Sequence, residues 1–295
     1  MEKIPQILGD TVVDTLKLMV FLFFTYLALE ALEHKAGDRA EKAIQKAGGA
    51  GPAIGALLGV FPQCGFSAAA TTFYAGRVIT LGTLFAVYLS TSDEMLPIFI
   101  AEQTDIVVIL KILLIKLVIG MVMGFLIDAI FRIVQRRRNS ASESDGSQIH
   151  VLCEQDNCDC GNEEGGILRS AIKHTLQVTL YIFLISLALN AIITFVGENA
   201  LASLLSANPA LSVFVSALVG LIPNCGASII ITQLYLDGAL STGAMMAGLL
   251  VAAGVGLLVL FRSNRHLKEN LAILAALYIT GAAFGLAFSA LNIVI

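Results

Sequence analysis

Long apolar stretches separated by short polar ones run the length of the chain. Residues 21–32, 79–89, 106–115, 117–130, 212–222, 239–261 and 271–295 carry few charges. Several approach the ~20 helical residues that cross ~30 Å of hydrocarbon. In lipid every backbone polar group must be paired within its own segment, so such runs are helical. The two-residue alternation of a membrane β-barrel is absent. The pattern predicts segments at 11–32, 50–62, 64–76, 79–100 and 106–134, then at 172–195, 209–222, 225–236, 239–261 and 270–294. Composition points the same way: 57% of residues are hydrophobic and 14% charged, where soluble domains carry about a quarter charged. The start lacks a basic region and a small-residue cleavage site, so the first run reads as a retained helix. A GxxxxGK[ST] phosphate loop is missing, which argues against a built-in ATP motor. The fold class expected is therefore an all-α polytopic membrane protein.

The two sets of five segments resemble each other. Ala56 to Tyr74 and Ala217 to Tyr235 share nine of nineteen residues, including Gly59/Gly220, Pro62/Pro223, Cys64/Cys225, Gly65/Gly226, Ser67/Ser228 and Tyr74/Tyr235. Thr15 to Ala31 matches Thr175 to Ala191 at nearly the same offset. We divide the chain into a first membrane repeat (1–135), a linker (136–167) and a second repeat (168–295). An odd number of segments per repeat makes the copies inverted. Under this assignment Lys35, Arg39, Arg77, Arg136, Arg169 and Arg262 fall on one side, and Glu102, Asp105, Glu198 and Asp237 on the other. The positive-inside rule makes the basic side cytoplasmic and puts both termini outside a plasma (inner) membrane. Inverted repeats are a recurrent plan of secondary transporters, with the substrate site at the midplane. A duplicated scaffold without transport is the alternative.

Segments 50–62 and 64–76 are too short to span. A dozen helical residues rise only ~18 Å. They suit a re-entrant or broken hairpin turning at Pro62-Gln63-Cys64-Gly65-Phe66-Ser67, with a partner at Pro223-Asn224-Cys225-Gly226-Ala227-Ser228. Proline disfavours helix in the residue before it, and glycine permits the turn. Ser67 and Ser228 are expected to cap the helices that follow. Irregular backbone at this depth must line a wet cavity or lie buried in protein. Hairpins entering from opposite sides would bring their tips together. Helix N-termini there favour anions, while Gln63, Asn224 and carbonyls favour cations. Cys64 and Cys225 add a soft ligand pair for thiophilic species. Packing of a tight turn is the plainer reading of these cysteines.

Chemistry also gathers at Ser90-Thr91-Ser92-Asp93-Glu94-Met95-Leu96-Pro97. Carboxylates at membrane depth usually face a pathway, a cation or a proton relay. Ser90, Ser92, Asp93 and Glu94 are therefore candidates for cation binding or coupling. An outer-surface loop with solvated acids is the alternative. Lys111 and Lys116 are possible partners for the acids, or snorkel outward. The linker, rich in Ser, Gly and acids, holds His150, Cys153, Cys158 and Cys160. Their number matches a tetrahedral metal site, though the spacing is irregular. A floppy loop with incidental cysteines is the other reading.

Gly59-Val-Phe-Pro62-Gln-Cys64-Gly65-Phe-Ser67, the run Ser90 to Pro97, and Gly254-Val-Gly256 through Phe261-Arg262-Ser-Asn264 together resemble the family of ten-helix heavy-metal exporters. Its members are described as manganese transporters or arsenic efflux proteins related to the arsenic permeases. The resemblance implies export of a metal or metalloid, with a metal ion and the lipid bilayer as partners. No cofactor, enzymatic activity or nucleic-acid partner is expected, and a homo-oligomer is allowed for. Manganese would favour Asp93, Glu94, Gln63 and Asn224; softer metals would favour Cys64 and Cys225. A transporter of small organic or inorganic anions and a passive ion channel remain the rival readings.

Overall fold

A computed structural model describes residues 9, 11–13, 15–16, 18–20, 22–27, 49–61, 64–92, 95–138, 166–196, 209–264 and 266–293 of the chain. At 134–138, 166–170, 174, 190–196 and 209–210 only the backbone is described. Every regular element among these residues is a helix. A helical stretch occupies the described residues between 9 and 27. It is followed by α1 (Gly51–Gly59), α2 (Cys64–Ala75), α3 (Leu81–Ser90), α4 (Met95–Ala101) and α5 (Ile106–Arg138). Then come α6 (Gly166–Val196), α7 (Pro209–Gly220), α8 (Cys225–Leu236), α9 (Thr242–Val251), α10 (Gly256–Ser263) and α11 (Leu267–Ala290). Among the described residues, five spans are long and apolar enough to cross a membrane: Leu81–Ala101, Ile106–Ile133, Ala171–Leu189, Thr242–Ser263 and Leu267–Ala290. The protein is a multi-pass helical membrane protein.

The exterior fits a lipid solvent. On α5, Ile106, Leu110, Leu114, Val118, Val122, Leu126 and Ile130 are all exposed. Their four-residue spacing makes an apolar stripe along the outside of the helix. The opposite face buries Ile109, Ile112, Lys116, Ile119 and Asp128.

The fourth segment of each half departs from the sequence expectation. The pattern predicts a single helix in each, and both are interrupted, at 91–92 and at 252–255. Pro97 gives the reason in the first half. Its ring would clash with the carbonyl four residues earlier, so a helix containing it must begin within a turn before it. In the second half Ala252 leaves helical geometry with ψ 78°, and Gly254 adopts φ +54°, a conformation that costs glycine little.

Packing repeats across the chain. Helix α3 lies against α1 and α5, and α9 lies against α7 and α11. Helix α10 packs on α2, α4 packs on α8, and α3 touches α9. Glycines permit the closest approaches. A Cβ at Gly82 would lie 2.1 Å from the Gly124 carbonyl oxygen, and one at Gly243 would lie 2.5 Å from that of Gly285. A Cβ at Gly120 would meet the Ala86 oxygen at 2.8 Å, and one at Gly281 would meet the Ala247 oxygen at the same distance. Each of these contacts in the first half has its counterpart 161 residues later, the separation that also divides Cys64 from Cys225.

Two apolar clusters hold the assembly together. The larger runs through α2–α5 and α7–α11. The smaller joins Leu18, Leu22 and Tyr26 to Val178 and Ile182 of α6 and Val259 of α10. An ionic tie also links the halves. Arg77, just past α2, donates to both carboxylate oxygens of Glu269 at 3.0 and 3.1 Å, and Tyr74 Oη donates to the same carboxylate.

Candidate functional site

Cys64 and Cys225 are the first residues of α2 and α8. Their sulphurs lie 3.6 Å apart, both half-buried and neither in a disulfide. Two residues remote in sequence are thus brought into contact where two short helices begin. The separation suits a shared soft ligand. Two thiolates bound to one tetrahedral ion at ~2.3 Å stand about 3.8 Å apart. A sulphur–sulphur bond, at ~2.05 Å, would require further approach.

The turn before α8 is built locally. Asn224 has extended backbone, and its side-chain oxygen accepts from Gly226 N at 3.0 Å. It thereby caps one of the otherwise unsatisfied amides at the helix start. Pro223 is half-buried just ahead of it. The expected capping by Ser67 and Ser228 is not what the structure contains. Their hydroxyls donate backward to the carbonyls of Cys64 and Cys225, each at 2.8 Å. Three residues is the reach of a side chain turning back within one helical turn, so these serines bond inside the first turn. Gly65 and Gly226 follow the cysteines directly, within the same first turns.

Two cavities meet at the cysteine pair. One is lined by Thr91, Ser92, Met95, Lys116, Asn224 and Cys225, with Ser228 beside them. The other is lined by Thr11, Thr15, Cys64, Ser186, Asn224 and Cys225. Asn224 and Cys225 border both. The first cavity occupies the interruption between α3 and α4, so the break in the helix positions site residues. There Ser90, Thr91 and Ser92 are all buried. Ser92 Oγ donates to the Val60 carbonyl at 2.6 Å, satisfying an acceptor just past α1. Ser90 Oγ bonds the Ala86 carbonyl of its own helix at 2.7 Å.

Of the residues singled out in the sequence, Pro62, Gln63, Asp93, Glu94, His150, Cys153, Cys158 and Cys160 lie outside the described residues. The described ones contain no group of three or more His, Cys, Asp or Glu side chains arranged to hold a metal. The two lysines separate cleanly. Lys111 is exposed, while Lys116 is buried at the first cavity. Sequence reasoning missed Thr11, Thr15, Ser186 and Met95. Hydroxyls in an apolar helix that come close to a distant turn leave no local signature; only the recurrence of Thr15 at Thr175 hinted at them.

A search of curated proteins and a search of solved structures each returned no match. Residues 6–160 and 162–293 match the family described as "putative, 10TM heavy-metal exporter". With nearly the whole chain covered, and with an all-helical, multi-pass architecture around a pair of facing thiols, this protein belongs to that family of heavy-metal exporters.

Proposed function

We propose that the protein is a secondary transporter that exports a divalent heavy metal or metalloid from the cytoplasm by alternating access. The observation that carries the reading is the 3.6 Å approach of Cys64 and Cys225, one from each half, at the junction of two cavities. Soft ligands of this kind select thiophilic ions. Asn224 and Ser228, with Pro62, Gln63, Gly65, Ser67, Pro223 and Gly226, complete the proposed binding turns. Asp93 or Glu94, with Ser90 and Ser92, would hold the cation or carry a coupling proton. The linker group His150, Cys153, Cys158 and Cys160 would capture metal on the cytoplasmic side.

The inverted-repeat arrangement is part of this proposal. Helix contacts that recur at a fixed separation of 161 residues support it. So does the exchange of partners between halves, α10 on α2 and α4 on α8. In such an arrangement the midplane between repeats is where substrate binds, and interrupted helices face it. The plasma-membrane location and the outside termini rest on charge placement, and the division at 136–167 rests on the sequence repeat and the polar composition of the linker.

The test is transport by purified protein in liposomes, screened with Mn(II), Zn(II), Cu(I), trivalent arsenic and a panel of small anions. Metal-selective flux lost in Cys64→Ala and Cys225→Ala is the expected result. Flux that survives both substitutions would remove the thiols from the mechanism. Flux of anions alone would overturn the export reading.

A further inference from the structure

Lys116 is a cation placed deep in an apolar helix. It is almost fully buried, ten residues into the long helix α5. Charge at such depth is costly, and its partners reveal what holds it there. Its ammonium donates to the Thr91 carbonyl, at the C-cap of α3, and to the Leu249 carbonyl at 2.8 Å, in the last turn of α9. Both helices stop there, at their interruptions. The last carbonyls of a helix lack intrahelical donors and carry the negative end of the helix dipole. Two such ends, one from each half, converge on one ammonium. Where broken helices present carbonyls in this way, membrane transporters commonly seat a free cation. The position 161 residues later is Leu277, also buried, so the second half supplies no matching charge.

We propose that Lys116 is a positioning residue for the transport site: its ammonium acts as a tethered cation that joins the two interrupted helices and fixes the cavity bordered by Asn224 and Cys225. The cavity lining includes Thr91, Leu249 and Lys116 together with those two residues, which gives the coupling a short physical route. The inference rests on reading the cysteine pair as the substrate site, yet it is tested without transport.

The experiment uses the full chain in liposomes with Cys153, Cys158 and Cys160 replaced by Ser, leaving Cys64 and Cys225 as its thiols. Diamide oxidises the pair. Each thiol gives up a proton and an electron, the S–S bond forms, and the diazene is reduced to the hydrazine. The rate reports how well the two turns are held together. Lys116→Met and Lys116→Ala are expected to slow it roughly tenfold, the factor given by loss of a weak charge-assisted hydrogen bond. Lys116→Arg keeps the charge and is expected to stay near the parent rate. Added methylammonium, a free cation of similar size, is expected to restore Lys116→Ala in part. Restoration by a solute cation separates a tethered charge from a general packing role. Equal rates in Lys116→Met and Lys116→Arg would overturn the proposal, even where the alanine variant does not fold. So would a slow alanine variant that methylammonium leaves unchanged. Failure of the export reading would show in flux and leave these rates untouched.

Discussion

Tyr74 closes α2 and Tyr235 closes α8, 161 residues apart and equivalent in the repeat. The contacts described for them involve different partners. Tyr74 donates to Glu269, which also pairs with both guanidinium nitrogens of Arg77, and the Arg77 guanidinium stacks 5.4 Å from the Tyr74 ring. Tyr235 instead meets Phe99 edge-on, with ring centroids 6.4 Å apart. Arg77 has φ +56°, and its counterpart is Gly238 at φ +72°. The backbone turn is thus kept in both copies, while the side chains on it have diverged. A bidentate ion pair is directional and sensitive to solvent. An aromatic contact is softer and tolerates sliding. The two ends thus include different chemistry among their contacts, and under the proposed alternating access they would release by different means.

The comparison breaks most severely at the shared glycine contacts. Gly82→Ala would put a Cβ 2.1 Å from the Gly124 carbonyl and 2.5 Å from Asp128 Cγ. Backbone on one side and a hydrogen-bonded carboxylate on the other leave little room to relax. We expect a loss of about 3 kcal/mol or more, near the upper end of overpacking effects, read as lost yield of folded protein. Gly243→Ala meets first the Ser289 hydroxyl, a side chain that can turn away, though the Gly285 carbonyl is also close. Its loss is expected to be the smaller of the two.

The next largest difference lies at those same neighbours. Asp128 accepts from Gly82 N at 2.8 Å and from Thr80 Oγ1 at 2.7 Å, capping the start of α3. Ser289 stands at the matching place in the second half. Asp128→Ala should cost about 2 kcal/mol, because a buried amide and a half-buried hydroxyl lose their shared acceptor. Ser289→Ala should cost less than about 1 kcal/mol. Thermal unfolding in detergent distinguishes them, and equal shifts would mean that the two halves are stabilised alike here.

The two tyrosine ends are sharpened by a third pair. Glu269→Gln is expected to cost about 1.5 kcal/mol through the weakened pairing to Arg77, with a loss that shrinks in high salt. Phe99→Leu is expected to cost about 1 kcal/mol, with no salt dependence. Melting at two salt concentrations decides it. Asn224→Ala is expected to cost about 1 kcal/mol for one helix cap, and it should appear in binding at the cysteine pair before it appears in stability.

Much of this was legible in the chain itself. Apolar run length fixes helices in lipid, because backbone pairing leaves no alternative. Recurrence of Pro-x-Cys-Gly-x-Ser marked the two turns, and the short segments beside them showed that these turns needed a place within the protein. Ten segment positions followed from such local rules, and the helices found in the structure lie on them. The interruptions at 91–92 and 252–255 were not legible in the same way. Hydrophobicity carries through the second break, and at the first the polar run from Ser90 reads as chemistry carried on a helix; neither pattern registers whether the backbone stays helical. The 3.6 Å meeting of Cys64 and Cys225 and the seat of Lys116 between Thr91 and Leu249 depend on helices from both halves arriving together. A local pattern carries the preference of a segment for its solvent and its turn. The distance between residues 161 positions apart is set by how whole helices pack, and only the tertiary structure decides that.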